Sequence, residues 1–160
     1  MSVSVGDSLP DVELRMMVDG SPATVSSIKV LGSGRVVLFA VPGAFTPGCS
    51  NLHFPGYVEL ASSISAAGVD TIACVSVNDV FVMDAWGKAQ GAGEILMLAD
   101  SDAAFAKALE MDVDASGFGL GIRSKRYALV LEDGVVAAFL PEEDGFSVLS
   151  STAACVLAGL

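Results

Sequence analysis

Apolar residues in this chain fall into short blocks separated by glycine, proline and acidic residues, and the blocks are strand-sized. Arg35–Val41 (RVVLFAV) and Asp70–Asn78 (DTIACVSVN) are nearly continuous apolar runs, the pattern of strands buried on both faces. Ile95–Ala99 is a third such run. Val12–Arg15 and Ala23–Val25 flank the turn-like Asp19–Gly20–Ser21–Pro22, which predicts a short hairpin. Arg126–Leu131 and Val135–Leu140 flank Glu132–Asp133–Gly134, and Asp-Gly between two β-rich runs is a strong hairpin signal. The intervening segments read as helices. Ser50–Ala67 is helix-compatible but carries Pro55–Gly56, which predicts a kink or break. Asp79 can cap a helix running to about Gln90, Ser101–Glu110 suits another, and Ser150–Leu160 closes the chain with small residues.

The predicted order is β-β-β-α-β-α-β-α-β-β-α. Alternating strands and helices ending in a hairpin and a helix give an α/β domain, a mixed central sheet flanked by helices. A βαβ unit followed by ββα is the thioredoxin-like arrangement. A single domain over residues 1–160 is expected, because that length buries a substantial core.

Composition narrows the function. Apolar residues make up 52% of the chain and mean hydropathy is +0.63, yet no run approaches the ~20 apolar residues of a membrane span. A soluble domain with no membrane partner is expected. Net charge is −11, from 19 acidic and 8 basic residues, which argues against a nucleic-acid partner. The same field disfavours anionic substrates and favours neutral ones. The basic cluster Arg123–Ser124–Lys125–Arg126 reads first as the solvated start of a strand. Cys49, Cys74 and Cys155 are odd in number and show no CxxC spacing, so a reducing compartment is expected. The N-terminal MSVSVGDSLPDVELR has neither a secretory nor a transit pattern, which points to the cytoplasm, or to an organelle if a presequence has been cleaved.

One cysteine stands apart. In VPGAFTPGCSNLHFPGY, Cys49 lies among prolines and glycines between a buried strand and a helix, a costly setting for a packing residue. Thiols react as thiolates, and three kinds of neighbour favour that form. A helix N-terminus offers free N–H groups and a positive dipole end. The Thr46 hydroxyl can donate to sulfur or to a substrate oxygen. A nearby cation would help most, and Arg123, after the glycine-rich 117–121 stretch, is the candidate. His53, four residues on, is either a structural histidine or a partner of the thiol on the same helix face. One histidine and scattered cysteines assemble no metal site, and no phosphate-binding glycine motif follows a strand, so no cofactor is expected.

Pro42-x-x-x-Thr46-x-x-Cys49 resembles the active-site signature of the peroxiredoxins. The fuller PGAFTPGCS, with His53, Pro55 and Gly56, is similar to their type II branch, the atypical two-cysteine, peroxiredoxin-five-like group. Val5-Gly6-Asp7-x-Leu9-Pro10, Val75-Ser76-Val77-Asn78-Asp79-x-Phe81-Val82-Met83, Leu98-Ala99-Asp100 and Gly121-x-Arg123-Ser124-x-Arg126 follow that branch in order over nearly the whole chain. The resemblance implies a thioredoxin-like fold and a thiol-dependent peroxidase. Such an enzyme reduces hydrogen peroxide and alkyl hydroperoxides through a cysteine sulfenic acid, in antioxidant defence and redox homeostasis. It implies Cys49 as the peroxidatic cysteine, Thr46 and Arg123 as the residues that bind the peroxide oxygens, and Pro42 as a shield for the thiolate. It also implies a homodimer, with glutaredoxin, glutathione or thioredoxin as reductant.

The second thiol stays open. Cys74 stands where plant members of the branch keep a resolving cysteine, but it also lies in the apolar strand IACVSV, where a core cysteine is equally at home. Cys155, in STAACVLAGL, reads as packing. A one-cysteine cycle resolved by an external thiol and a two-cysteine cycle through Cys74 both fit. A redox sensor using the same cysteine without turnover is the competing class. A disulfide oxidoreductase lacks its CxxC.

Overall fold

The computed structural model describes residues 3–160. Its centre is a seven-stranded mixed sheet in the order β2-β1-β5-β4-β3-β8-β9. The strands are β1 (Glu13–Val18), β2 (Ser21–Ser26), β3 (Arg35–Ala40), β4 (Thr71–Ser76), β5 (Leu96–Ala99), β8 (Tyr127–Glu132) and β9 (Val135–Pro141). Strands β3, β4 and β5 are mutually parallel, while β8 runs antiparallel to β3 and β1 antiparallel to β5. The helices are α1 (Ser27–Leu31), α2 (Phe54–Ala66), α3 (Val80–Gln90), α4 (Ala104–Ala108) and α5 (Ala153–Ala158). This is the expected thioredoxin-like fold with a mixed sheet between helices.

The continuous apolar run in β3 follows from its central place. Val37 and Phe39 enter the core that α2 and α3 cover, with Tyr57, Ile64, Met83 and Trp86. Val36, Leu38 and Ala40 enter the opposite core, with Leu14, Leu31, Phe105 and Leu129. Side chains alternate along a strand, so a strand covered on both sides must be apolar at every position.

Local chemistry sets the boundaries. The first hairpin turns on Asp19–Gly20 alone, both at positive φ, so Ser21 and Pro22 are already in β2. Pro22 is tolerated because β2 is an edge strand. Asp79 caps α3 by accepting from the Val82 N–H, and Gly91 ends it in the left-handed conformation. Asp133–Gly134 turns the second hairpin at positive φ, as expected.

Several expectations need correction. Pro55 does not break the helix at 50–67. The helix runs unbroken from Pro47 to Ala66, but with a π-helical turn over Cys49–His53 immediately before Pro55, where the Phe54 N–H bonds to the Cys49 carbonyl; the irregularity takes this form rather than a break. The helix expected over 101–110 shortens to α4, whose first N–H groups, on Phe105 and Ala106, donate to the Asp100 carboxylate. Short β6 (Asp112–Asp114) and β7 (Ile122–Ser124) form a separate two-stranded sheet that was not anticipated, nor was α1.

Candidate active site

Strand β3 ends at Ala40, and the chain passes through a loop into the helical segment that carries Cys49. Pro42, Gly43 and Ala44 are buried, and Pro47 and Gly48 are already helical, so Cys49 lies in the first turn as expected. Phe45 takes φ +63, a region that bulky residues rarely adopt and that costs about 1–3 kcal/mol. Two contacts brace the loop: the Ala44 N–H donates to Asn78 Oδ1 at 3.0 Å, and the same oxygen accepts from Ser76 Oγ at 2.7 Å. Trp86 Nε1 donates to Ser50 Oγ at 2.9 Å and ties α3 to the π-helical turn. Cys49 itself is fully buried.

The cation beside the sulfur is Arg126. Its Nη2 donates to Cys49 Sγ at 3.3 Å, its Nη1 to His53 Nδ1 at 2.8 Å, and its Nε to the Phe146 carbonyl at 2.9 Å. Arg126 is 3% exposed, so the reading of residues 123–126 as a solvated strand start fails at this position. The role given to Arg123 as the cation at the thiol is also corrected. Arg123 Nε donates to the Leu120 carbonyl and Nη1 to the Val77 carbonyl, each at 2.9 Å. The two arginines lie three residues apart, yet they diverge. Arg123 belongs to β7, whereas Arg126 immediately precedes β8, the neighbour of β3.

Both arginines press on glycines. A Cβ on Gly43 would lie 3.1 Å from Thr46 Cγ2 and 3.2 Å from Arg123 Nη1. A Cβ on Gly48 would lie 3.2 Å from Arg126 Nη2. Arg123 therefore stands beside Gly43 and Thr46, at the loop that covers the thiol. The Thr46 hydroxyl donates to the Gly43 carbonyl at 2.7 Å rather than to sulfur, which leaves its oxygen free to accept.

His53 is not a base for the thiol, because both ring nitrogens have other partners. A guanidinium only donates and a carbonyl only accepts, so Nδ1 must be the acceptor from Arg126 and Nε2–H the donor to the Ser151 carbonyl, 3.0 Å away. Burial, which outweighs the favourable Ser151 contact, and the Arg126 charge lower its pKa from 6.5 to about 4. The ring is neutral at physiological pH. Tyr57 Oη donates to the same carbonyl at 2.7 Å. The Glu142 carboxylate gathers the Leu149, Ser150 and Ser151 N–H groups and the Ser151 hydroxyl, and holds that strand of chain in place. These hydrogen bonds keep Glu142 ionised below its usual range, against the opposing effect of desolvation. Arg126, Glu142, Ser151 and Asn78 were missed as site residues. Arg126 and Asn78 carried a signal, since both stand in the segments that resemble the peroxiredoxin branch, and Arg126 is also the second basic residue of an R-x-x-R pair.

Cys74 occupies the middle of β4, between Phe39 of β3 and Met97 of β5, and faces the same core as Cys49. Desolvation, and next the proximity of Cys49, push its thiol well above the ordinary value, with Arg126 opposing. Cys155 is exposed on α5 and its Sγ contacts the Leu149 carbonyl at 3.4 Å. All three cysteines are free thiols.

Residues 4–151 match the Redoxin family model. The rice (Oryza sativa subsp. japonica) "Peroxiredoxin-2E-2, chloroplastic" is 47% identical over 156 residues, covering 94% of this chain and 69% of the relative. Rice "Peroxiredoxin-2C" is 45% identical over 150 residues, covering 92% of this chain and 93% of the relative. Among solved structures, reduced Prx3 from Vibrio vulnificus in complex with hydrogen peroxide superimposes with a TM-score of 0.94 at 48% identity, covering 98% of each chain.

Proposed function

The chain belongs to the redoxin family as a peroxiredoxin, a thiol-dependent peroxidase, and from that premise we propose that Cys49 is its nucleophile and Arg126 the cation that serves it. The observation that carries this reading is the Arg126 Nη2 to Cys49 Sγ contact, made in a fully buried site. A charge-assisted donor in a water-excluded pocket favours the thiolate and is worth more there than in water. The thiolate attacks one peroxide oxygen. The S–O bond forms as the O–O bond breaks, and the other oxygen leaves as hydroxide or alkoxide and takes a proton from solvent. Arg126 stabilises the negative charge as it passes from sulfur to oxygen. Thr46 accepts from the peroxide O–H, Arg123 lines the approach beside Gly43 and Thr46, and Pro42 keeps water from the sulfur.

The product is Cys49 sulfenic acid, which must be resolved. A one-cysteine cycle is favoured. The Cys74 thiol is held protonated by burial in the middle of a strand paired on both sides, which makes it a poor attacking thiol. An external thiol such as glutathione or a glutaredoxin then attacks the sulfenic acid, releasing water and leaving a mixed disulfide that a second thiol reduces. Three free thiols fit a reducing compartment, which cytosol and plastid stroma both provide. No helix among the described residues is long and apolar enough to cross a membrane.

The deciding experiment is mass spectrometry of the intact protein after one equivalent of hydrogen peroxide. Oxidation by one oxygen at Cys49, absent in Cys49→Ser, is the expected result. Wild-type oxidation at Cys74 or Cys155 with Cys49 untouched would remove Cys49 from its role.

A further inference from the structure

We propose that His53 is a positioning residue for the Cys49 reaction: its Nδ1 aims the Arg126 guanidinium at the sulfur, and Glu142, acting through Ser151, fixes the ring that does so. The proposal rests on the assignment of Cys49 as nucleophile.

A guanidinium is planar, and its three nitrogens lie in a fixed fork. Two of them are anchored away from sulfur, Nε on the Phe146 carbonyl and Nη1 on His53 Nδ1, both within 2.9 Å. With two nitrogens pinned, the direction of the third is determined, and Nη2 falls 3.3 Å from Cys49 Sγ. Removing the Nδ1 anchor leaves the fork free to rotate about the Nε contact.

The ring is itself over-determined. Nε2–H donates to the Ser151 carbonyl, and Phe39 and Tyr57 lie edge-on to the imidazole at 5.3 and 5.5 Å between centroids. Ser151 is held by Glu142 through both its N–H, at 2.7 Å, and its hydroxyl, at 2.6 Å. An aromatic nest of this kind would be filled by leucine or phenylalanine without the penalty of burying two ring nitrogens. A histidine there has one property those residues lack, a lone pair facing Arg126. The direct link runs Glu142, Ser151, His53, Arg126, Cys49, and every step along it is a hydrogen bond of 3.3 Å or less.

Two isosteric substitutions separate aiming from packing. In His53→Asn the amide oxygen takes the place of Nδ1 and can accept from Arg126. In His53→Gln the longer side chain carries its amide to the place of Nε2 and leaves Arg126 without that anchor. The second-order rate of Cys49 oxidation by hydrogen peroxide is measured for both, alone and combined with Arg126→Met. The expected result for His53→Gln is a loss of about 10–100-fold, by analogy with outer-shell hydrogen-bond partners that orient metal-ligating side chains. His53→Asn is expected to keep most of the rate. In the Arg126→Met background neither substitution costs anything further, because nothing is left to aim. Losses that multiply in the double variants, or a more active Gln than Asn variant, overturn the proposal. The ultraviolet titration of the thiolate, taken as a difference against Cys49→Ser, gives the same cycle without peroxide. Its midpoint should move to higher pH in His53→Gln and not in His53→Asn. The titration therefore stands if Cys49 turns out not to reduce peroxide, while a midpoint unmoved in both variants sinks the aiming role even in an active enzyme.

Discussion

A three-residue difference decides the chemistry at the level of single side chains. Arg123 and Arg126 share one basic cluster, and only the second reaches the thiol. Arg126→Met should therefore lower the rate of peroxide reduction by roughly 10²–10³, the cost of deleting one preorganised donor at a developing negative charge. Arg123→Met should cost less and leave the acid limb of the pH–rate profile in place, and stopped-flow profiles of the two variants check both statements. The sequence showed that a cation was needed near Cys49 but not which one, because orientation depends on where β7 stops and β8 begins. His53 makes a separate prediction. Its folded pKa lies below the unfolded value, so the unfolded chain takes up the proton first. The stability this group supports is complete above about pH 6.5 and is lost as the pH falls from there toward about 4. The loss amounts to ~3 kcal/mol at ~1.4 kcal/mol per unit. Asp144, whose hydrogen bonds to Ser147 and Phe146 lower its pKa to about 2, acts in a lower window, losing its contribution only as the pH falls below about 4. Urea denaturation of wild type and His53→Asn should diverge between pH 6.5 and 4 and run parallel above.

Elements were legible in proportion to their length and burial. β3 and β4 carry continuous apolar runs, Val36–Ala40 and Ile72–Val75, because both faces are covered, and such runs are visible without any partner. α1, β6 and β7 have three to five residues each, too few to show a period, and their pairing comes from contacts elsewhere in the chain. The π-helical turn was equally hidden. Its residues are held by tertiary contacts, Trp86 on Ser50 and Arg126 on Cys49, which the local sequence does not display. This turn makes a discriminating prediction through Gly48, whose φ of −63 and ψ of −41 suit any residue. Gly48→Ala should gain up to about 1 kcal/mol of helix propensity. Its new Cβ would sit 3.2 Å from Arg126 Nη2, so the guanidinium must give way. The variant is expected to be as stable as wild type or more so, yet slower with peroxide, and a variant both stable and fully active would show that Arg126 tolerates displacement. β4 makes the complementary case. Cys74→Ser should keep full activity with a glutathione–glutaredoxin couple, and loss with both that couple and thioredoxin would make Cys74 the resolving thiol.

At the scale of the whole molecule, the exposed apolar side chains are unevenly placed. Phe45 is in the loop after β3, Leu52 in the π-helical turn, Phe81 at the start of α3 directly after β4, Phe118 in the turn before β7, and Leu149 on the strand of chain held by Glu142. These five include all the exposed phenylalanines among the described residues, and Phe45, Leu52 and Phe81 follow the C-terminal ends of β3 and β4, the end of the sheet that holds Cys49; Val5, Val18, Ile28, Ile122 and Val135 are exposed singly elsewhere. Phe118 is 77% exposed and Leu149 72%, and Phe118 packs edge-on to Phe146, whose carbonyl anchors Arg126. A chain with net charge −11 resists random association, and a localised apolar face is the surface on which a second copy could dock against that charge. A second copy docked on this face would cover the mouth of the site and stiffen the 116–123 and 142–151 segments that carry Arg123 and the Glu142 network. Phe118→Glu adds a charge on each side of such an interface, so self-association through this face predicts a smaller apparent mass for the variant than for wild type in light scattering at micromolar concentration. The variant should also be slower with peroxide although every residue of the site is intact. A wild type that is monomeric, or a monomeric variant with unchanged rate, would separate the apolar rim from the chemistry it surrounds.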